Sequence, residues 1–173
     1  MKHPIATLSM LSGLVLAAAM PVVAQQVKPS CTDNSRDCMI TAAKSYLDGV
    51  VTHDGSKVLF APDVKRTEQG RITGQGEVAL RDSTKLQPDM TGHGNTRFFV
   101  DEKTNNVIAF TLLRIPGTKA DPNRKTYADK LTPQPSTVHL AERFKVEKGL
   151  ITEIEALFSI ENGSMDGTSN WPD

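Results

Sequence analysis

An α+β domain is what the sequence predicts, and three observations predict it. Apolar residues recur at helical spacing in the first half of the chain, they alternate one by one in the second half, and short Gly- or Asn-containing turns separate the alternating runs. Helices first and antiparallel strands afterwards is an α+β order. One curved antiparallel sheet wrapped around N-terminal helices forms a cone with a closed end and an open mouth, a natural hollow for a small molecule.

The 173-residue chain begins with a basic start at Lys2, an apolar run from Leu8 to Met20, Pro21 and a small-residue end at Val22-Val23-Ala24. This reads as a secretory signal over residues 1–24, since the run is short for a membrane span and ends in a cleavage pattern. A secreted or periplasmic location is expected, without stable membrane insertion after cleavage. The remaining 149 residues suit a single core and leave no room for two domains. Residues 25–37 form an N-terminal segment, 38–162 the domain, and 163–173 an irregular tail that carries Trp171.

Cys31 and Cys38 enclose six residues in "CTDNSRDC". In an oxidising compartment they form a disulfide that pins the amino terminus to the first helix, and such a short loop contributes about 2 kcal/mol. That helix runs through "SRDCMITAAKSYLDGVVTHDG", capped by Ser35, with Ile40, Ala43, Leu47 and Val50 along one face and Gly55 as the stop. "SKVLFAPDV" predicts a second short helix ending before Pro62, "VKRTEQGRIT" a strand and turn, and "GEVALRDSTKL" a third helix. The strands "NTRFFVDEK", "NVIAFTLLRIP", "STVHLAERFKVEK" and "LITEIEALFSI" follow. Residues 116–135, long, polar and rich in proline, separate the second of these from the third as a lid or loop. In "NTRFFVDEK", Phe98 and Val100 are the expected core face, which leaves Arg97, Phe99 and Asp101 opposite.

One residue breaks the pattern. In "STVHLAERFKV" the apolar face is Val138, Leu140, Phe144 and Val146, and Glu142 falls in the middle of it. A carboxylate buried there needs a partner or must hold a proton, because an isolated buried charge costs many kcal/mol. Arg66 and Glu68, two apart in "KRTEQG", point the same way on a regular strand. Glu142 is then either half of a buried ion pair with Arg66 or a site residue, and Tyr46 is either a core tyrosine or part of that site.

Composition excludes several chemistries. Lys2 is the only charged residue in the segment removed, so the mature chain balances 19 basic against 20 acidic residues, without the basic stripe a nucleic-acid binder needs. His53, His93 and His139 lack metal-ligand spacing, so no metal is expected. GxSxG, phosphate-loop and dinucleotide patterns are missing, so no cofactor is expected.

"SYLDGVVTHDGSKVLFAPDV" and "FKVEKGLITEIEALF", in this order and spacing, resemble the opening helices and the last hairpin of the NTF2-like superfamily, including SnoaL-like proteins and ketosteroid isomerases. The resemblance spans about residues 38–162 and implies a cone-shaped curved sheet around the helices. Similarity to the ketosteroid isomerase pattern, itself a worked case of pKa tuning, implies Tyr46 as the helix tyrosine, Glu68 as the base and Glu142 as the oxyanion acid. It implies Ile154, Ala156 and Phe158 as cavity-facing groups, with Glu153 and Glu155 outside. Glu replaces Asp at two of these positions and Arg66 intrudes, so steroid isomerisation is not expected.

Two functions compete at this stage. The first is a cofactor-independent isomerase, dehydratase or lyase acting on a small hydrophobic or aromatic molecule. There Glu68 is acid or base, Tyr46 and Glu142 donate hydrogen bonds, and Arg66 orients or neutralises an oxyanion. The second is a non-catalytic binding module that dimerises through the outer sheet face, as similar proteins do, with His139, Arg143 and Lys145 there. An open cavity lined by apolar groups and the named acids favours catalysis or ligand binding; a plugged cone favours neither.

Overall fold

The computed structural model describes residues 27–117 and 134–163. The expected signal segment, nearly all of the 116–135 connection and the tail beyond Gly163 lie outside the described residues. Helix α1 spans Arg36–Thr52, with the Ser35 hydroxyl accepting from the Cys38 N–H as its cap. Strands β1 (Phe60–Glu68) and β2 (Arg71–Gln75) follow, then α2 (Glu77–Thr84) and strands β3 (Gly92–Asp101), β4 (Asn106–Ile115), β5 (Ser136–Glu147) and β6 (Leu150–Asn162). The six strands form one curved sheet in the order β2-β1-β6-β5-β4-β3. All neighbours are antiparallel except β1 and β6, which run parallel, so the sheet is mixed and the α+β expectation stands.

Three local expectations change. Helix α1 ends at His53, which adopts the left-handed conformation (φ 57°), two residues before Gly55. The second helix shrinks to one 3₁₀ turn over Gly55–Lys57, because Phe60, Ala61 and Val64 are recruited to β1 and the core. The "strand and turn" of "VKRTEQGRIT" is a hairpin: Gln69 and Gly70 both have positive φ, as a two-residue turn matching the strand twist requires. A register shift between Arg66 and Thr67 leaves Thr73 of β2 as the extra residue of a bulge.

Helix α1 lies in the concave side of the sheet. Met39, Ala42, Ala43, Tyr46, Leu47 and Val50 bury against Val107, Ala109, Phe144, Val146, Ile151 and Ile154 from three strands. Helix α2 is held by Arg81, which pairs with Glu77 at 2.6 Å and donates to the Gly55 and Val58 carbonyls, tying the helix to the 3₁₀ turn. Leu80 of α2 seats on Gly74, where a Cβ would overlap it. The helix thereby covers β1 and β2 at one side of the cone.

The Cys31–Cys38 disulfide is formed, and its loop docks on the β5–β6 turn, where the Lys148 N–H donates to the Asn34 side chain at 2.7 Å. Gly149 sits in that turn at φ +76°, and a Cβ there would overlap the Cys31 carbonyl oxygen and crowd Pro29 at 2.8 Å. Gly149→Ala therefore combines backbone strain with displacement of the disulfide loop. A loss of about 2 kcal/mol or more is expected in urea unfolding, against about 1 kcal/mol from the backbone alone if the loop moves aside freely.

Candidate functional site

The period-2 pattern of β5 survives in three dimensions: Val138, Leu140, Glu142, Phe144 and Val146 are all buried while the residues between them are not. Glu142 is 1% exposed. Register sets its surroundings. Glu68 on β1, Ala156 on β6, Glu142 on β5 and Ala109 on β4 lie in one row across the sheet. Two strand spacings separate the acids, about 10 Å between backbones, and the methyl of Ala156 between them leaves that gap open.

The open end of the cone holds a cavity of about 1000 Å³. It brings together Tyr46, Arg66, Glu68 and Glu142, with Ala156 and Phe158 on its wall. Ile154, expected to face the hollow, instead lies buried in the core one row deeper, across from Phe144 and Arg66. Glu153 and Glu155 are on the outer face, both bound to Arg143. The alternation of β6 found the correct face, and depth along the cone separated Ile154 from Ala156.

Charge in the cavity is arranged differently from the sequence-based alternatives. Arg66 donates to Glu68 at 2.5 Å, not to Glu142, and its guanidinium lies 5.8 Å from the centre of the Tyr46 ring. One Glu142 carboxyl oxygen and the Arg66 Nε are buried without a hydrogen-bond partner. Burial pushes the Glu142 carboxyl up to about 7, with Arg66 opposing the rise and Glu68 adding to it. For Arg66, burial acts to lower the pKa, but Tyr46, Glu142 and Glu68 outweigh it and hold the guanidinium charged. Burial likewise raises the Tyr46 phenol, which packs edge-on to Phe60 and Phe144 at 6.0 and 5.6 Å. Tyr46 is thus both a core tyrosine and a cavity wall.

This sets a buried carboxyl with a raised pKa opposite a guanidinium-held carboxylate across an apolar floor. Leu140, Val138, Leu113 and Ile115 carry the wall outward from the Glu142 row, away from the deeper Phe144–Ile154 row, and Leu86, Pro88 and Met90 after α2 also line the hollow. Sequence reasoning missed Arg71 and Thr73, which also line the cavity. The Gln69-Gly70 pair was the available signal, since a two-residue turn puts Arg71 directly opposite Glu68. The Cys31, Asp33 and Cys38 side chains cluster closely enough for metal binding, but both sulfurs are consumed by the disulfide.

Residues 32–158 match the profile of a family described as a domain of unknown function, DUF8021. No curated protein matches the chain. Among solved structures, SalBIII, an epoxide hydrolase/cyclase-like enzyme in pyran ring formation in the polyether salinomycin, superposes with a TM-score of 0.58. Identity is 12%, over 75% of this chain and 98% of that one. An LEH-like epoxide hydrolase from M. tuberculosis gives 0.52 at 15% identity, over 71% and 84%. A Kribbella flavida protein provisionally assigned as a ketosteroid isomerase gives 0.51 at 15% identity, over 79% and 92%. At these identities the likeness shows the fold, which is NTF2-like.

Proposed function

The chain belongs to the DUF8021 family, and on that premise we propose that it is a cofactor-independent acid–base enzyme acting on a small, largely apolar molecule. The observation that carries this reading is Glu142, wholly buried, with an unpartnered carboxyl oxygen and a pKa near neutrality, in one cavity with the Arg66–Glu68 pair. Perturbed acids at a concave apolar site are the usual mark of proton-transfer chemistry. Glu68 removes a proton from carbon while Glu142 delivers one to the substrate oxygen. Arg66 balances the negative charge that passes between them, and Tyr46 closes the polar wall.

With a β,γ-unsaturated ketone, Glu68 takes the α-proton while Glu142 protonates the carbonyl oxygen, giving a dienol; Glu68 then delivers its proton to the γ-carbon as the enol proton returns to Glu142, and the double bond has moved. With a β-hydroxy ketone, the oxygen that receives the proton leaves as water, and the reaction is a dehydration. The neighbours' names, with epoxide and ring-forming chemistry among them, accord with push–pull proton transfer at an oxygen. The test follows proton transfer itself. In D₂O the protein is expected to speed deuterium entry α to the carbonyl of 2-tetralone and small cyclic enones, read by NMR. No acceleration over buffer for any of them counts against the reading.

The N-terminal segment supports secretion or a periplasmic location for this activity. The outer sheet face supports a homodimer. Phe99, Ile108, Phe110 and Leu157 are exposed there in adjoining rows, beside the Arg143 network with Glu153, Glu155 and Asn106. Such a contiguous apolar patch is typical of an interface. Sedimentation should give a dimer, and Leu157→Arg a monomer that keeps its fold; a monomeric native protein removes the dimer.

A further inference from the structure

The two missed residues, Arg71 and Thr73, bear on what the cavity takes in. Both are on β2 at the mouth, and both side chains line the hollow. Arg71 stands in register with Glu68, the catalytic carboxylate of the reading above. Glu68 already carries Arg66 at 2.5 Å, so Arg71 is left over: among the described residues it makes no hydrogen bond or ion pair. Thr73 is the extra residue of the β1–β2 bulge, and its hydroxyl is equally unengaged among the described residues. Bulges beside sites commonly serve to re-aim one side chain.

A charge count points the same way. The ionisable groups lining the cavity are Arg66, Arg71, Glu68, Glu142 and Tyr46, whose raised pKa keeps the phenol neutral. Below about pH 7, where the buried Glu142 holds its proton, two guanidinium groups face one carboxylate and the hollow carries a net charge of +1. Between the rim and the acids the wall is apolar: Leu86, Met90, Leu113, Ile115, Phe158 and Ile160. A ligand that satisfies every part of this surface has an apolar body and one anionic end. The anion also favours catalysis, because a nearby negative charge helps Glu142 keep the proton it must deliver.

We propose that Arg71 and Thr73 form a carboxylate-binding subsite at the mouth of the cone, and that the substrate is an amphiphilic organic acid. Its apolar body reaches inward to Glu68 and Glu142, and its carboxylate stays at the rim. The location rests on the acid–base reading of the same cavity. Arg71 supplies a charge-assisted hydrogen bond that an amide cannot accept with equal strength, and its exposure makes the effect sensitive to salt.

Matched probes test this without any turnover. Titration calorimetry with 2-naphthaleneacetate and 2-naphthaleneacetamide holds the apolar body constant. At low salt the carboxylate is expected to bind about tenfold more tightly. Arg71→Gln should abolish that preference while leaving the amide affinity unchanged, which also reports an intact cavity; Arg71→Lys should keep part of it, and Thr73→Val should weaken it. Equal affinities in the native protein, a preference that survives Arg71→Gln, or binding of neither probe overturns the assignment. Glu68→Gln should retain the carboxylate preference even where it stops deuterium exchange, so the subsite and the catalytic reading fail separately.

Discussion

Glu68→Gln is expected to cut the rate of substrate deuterium exchange by 10²- to 10⁴-fold while leaving the fold intact, the range that one positioned general base typically supplies. Glutamine keeps the size and can still accept from Arg66, so the change is confined to the ability to take a proton. Glu68 is at the end of β1, partly exposed at the cavity wall, and its removal should cost little stability. The measurement is the exchange rate at saturating 2-tetralone, alongside the unfolding midpoint. An unchanged rate removes Glu68 from the mechanism. Glu142→Gln should also lower the rate, and the native enzyme should lose activity as pH rises through about 7, where Glu142 gives up its proton. A rate still rising well above that pH would mean that the ionised form of Glu142 does the work.

The second large effect is on stability. Glu142 titrates near 7 in the folded protein against 4.5 as an ordinary carboxyl. Between those values the folded chain holds a proton that the unfolded chain has released. The contribution of this group is therefore fully present below about 4.5 and is lost as pH rises toward and through about 7. A shift of this size is worth on the order of 3 kcal/mol. Glu142→Gln removes the titration. The stability of the variant relative to the native protein should therefore rise by that order between pH 4.5 and pH 8, read from urea unfolding at a series of pH values. Parallel stability curves would show that Glu142 is already ionised in the folded protein across this range, with no raised pKa. The unpartnered Arg66 Nε is then the group placed to hold it, with the Arg66–Glu68 contact kept.

The buried charge also separates two kinds of stability argument. Arg66 and Glu68 cannot be regarded as a net stabilising pair, because the cost of burying the guanidinium offsets much of the attraction. The Arg81 cluster is different. Its guanidinium closes on Glu77 and two backbone carbonyls, and it packs 5.5 Å from the centre of the Phe60 ring. That arrangement consumes Arg81 in holding α2 in place. Arg71, with no such partners among the described residues, remains available to a ligand.

The sequence by itself determined the two α-helices, the last four strands, the inward faces of β3, β5 and β6 and the anomaly of Glu142. These follow from the backbone: a strand turns its side chains over every residue and a helix every 3.6, so the pattern is local and can be read directly. It also placed Tyr46, Arg66 and Glu68 on elements that converge. Only the tertiary structure decided that Arg66 pairs with Glu68, that Ala156 opens the space between the two acids, and that Ile154 lies below the cavity. The same holds for the parallel β1–β6 pairing, which sets Glu68 and Glu142 in one row although 74 positions separate them in the chain. Ion-pair choice and depth in a cone depend on distances between strands remote in sequence and on a single bulge in β2. A one-residue shift of register there would send the same side chains elsewhere.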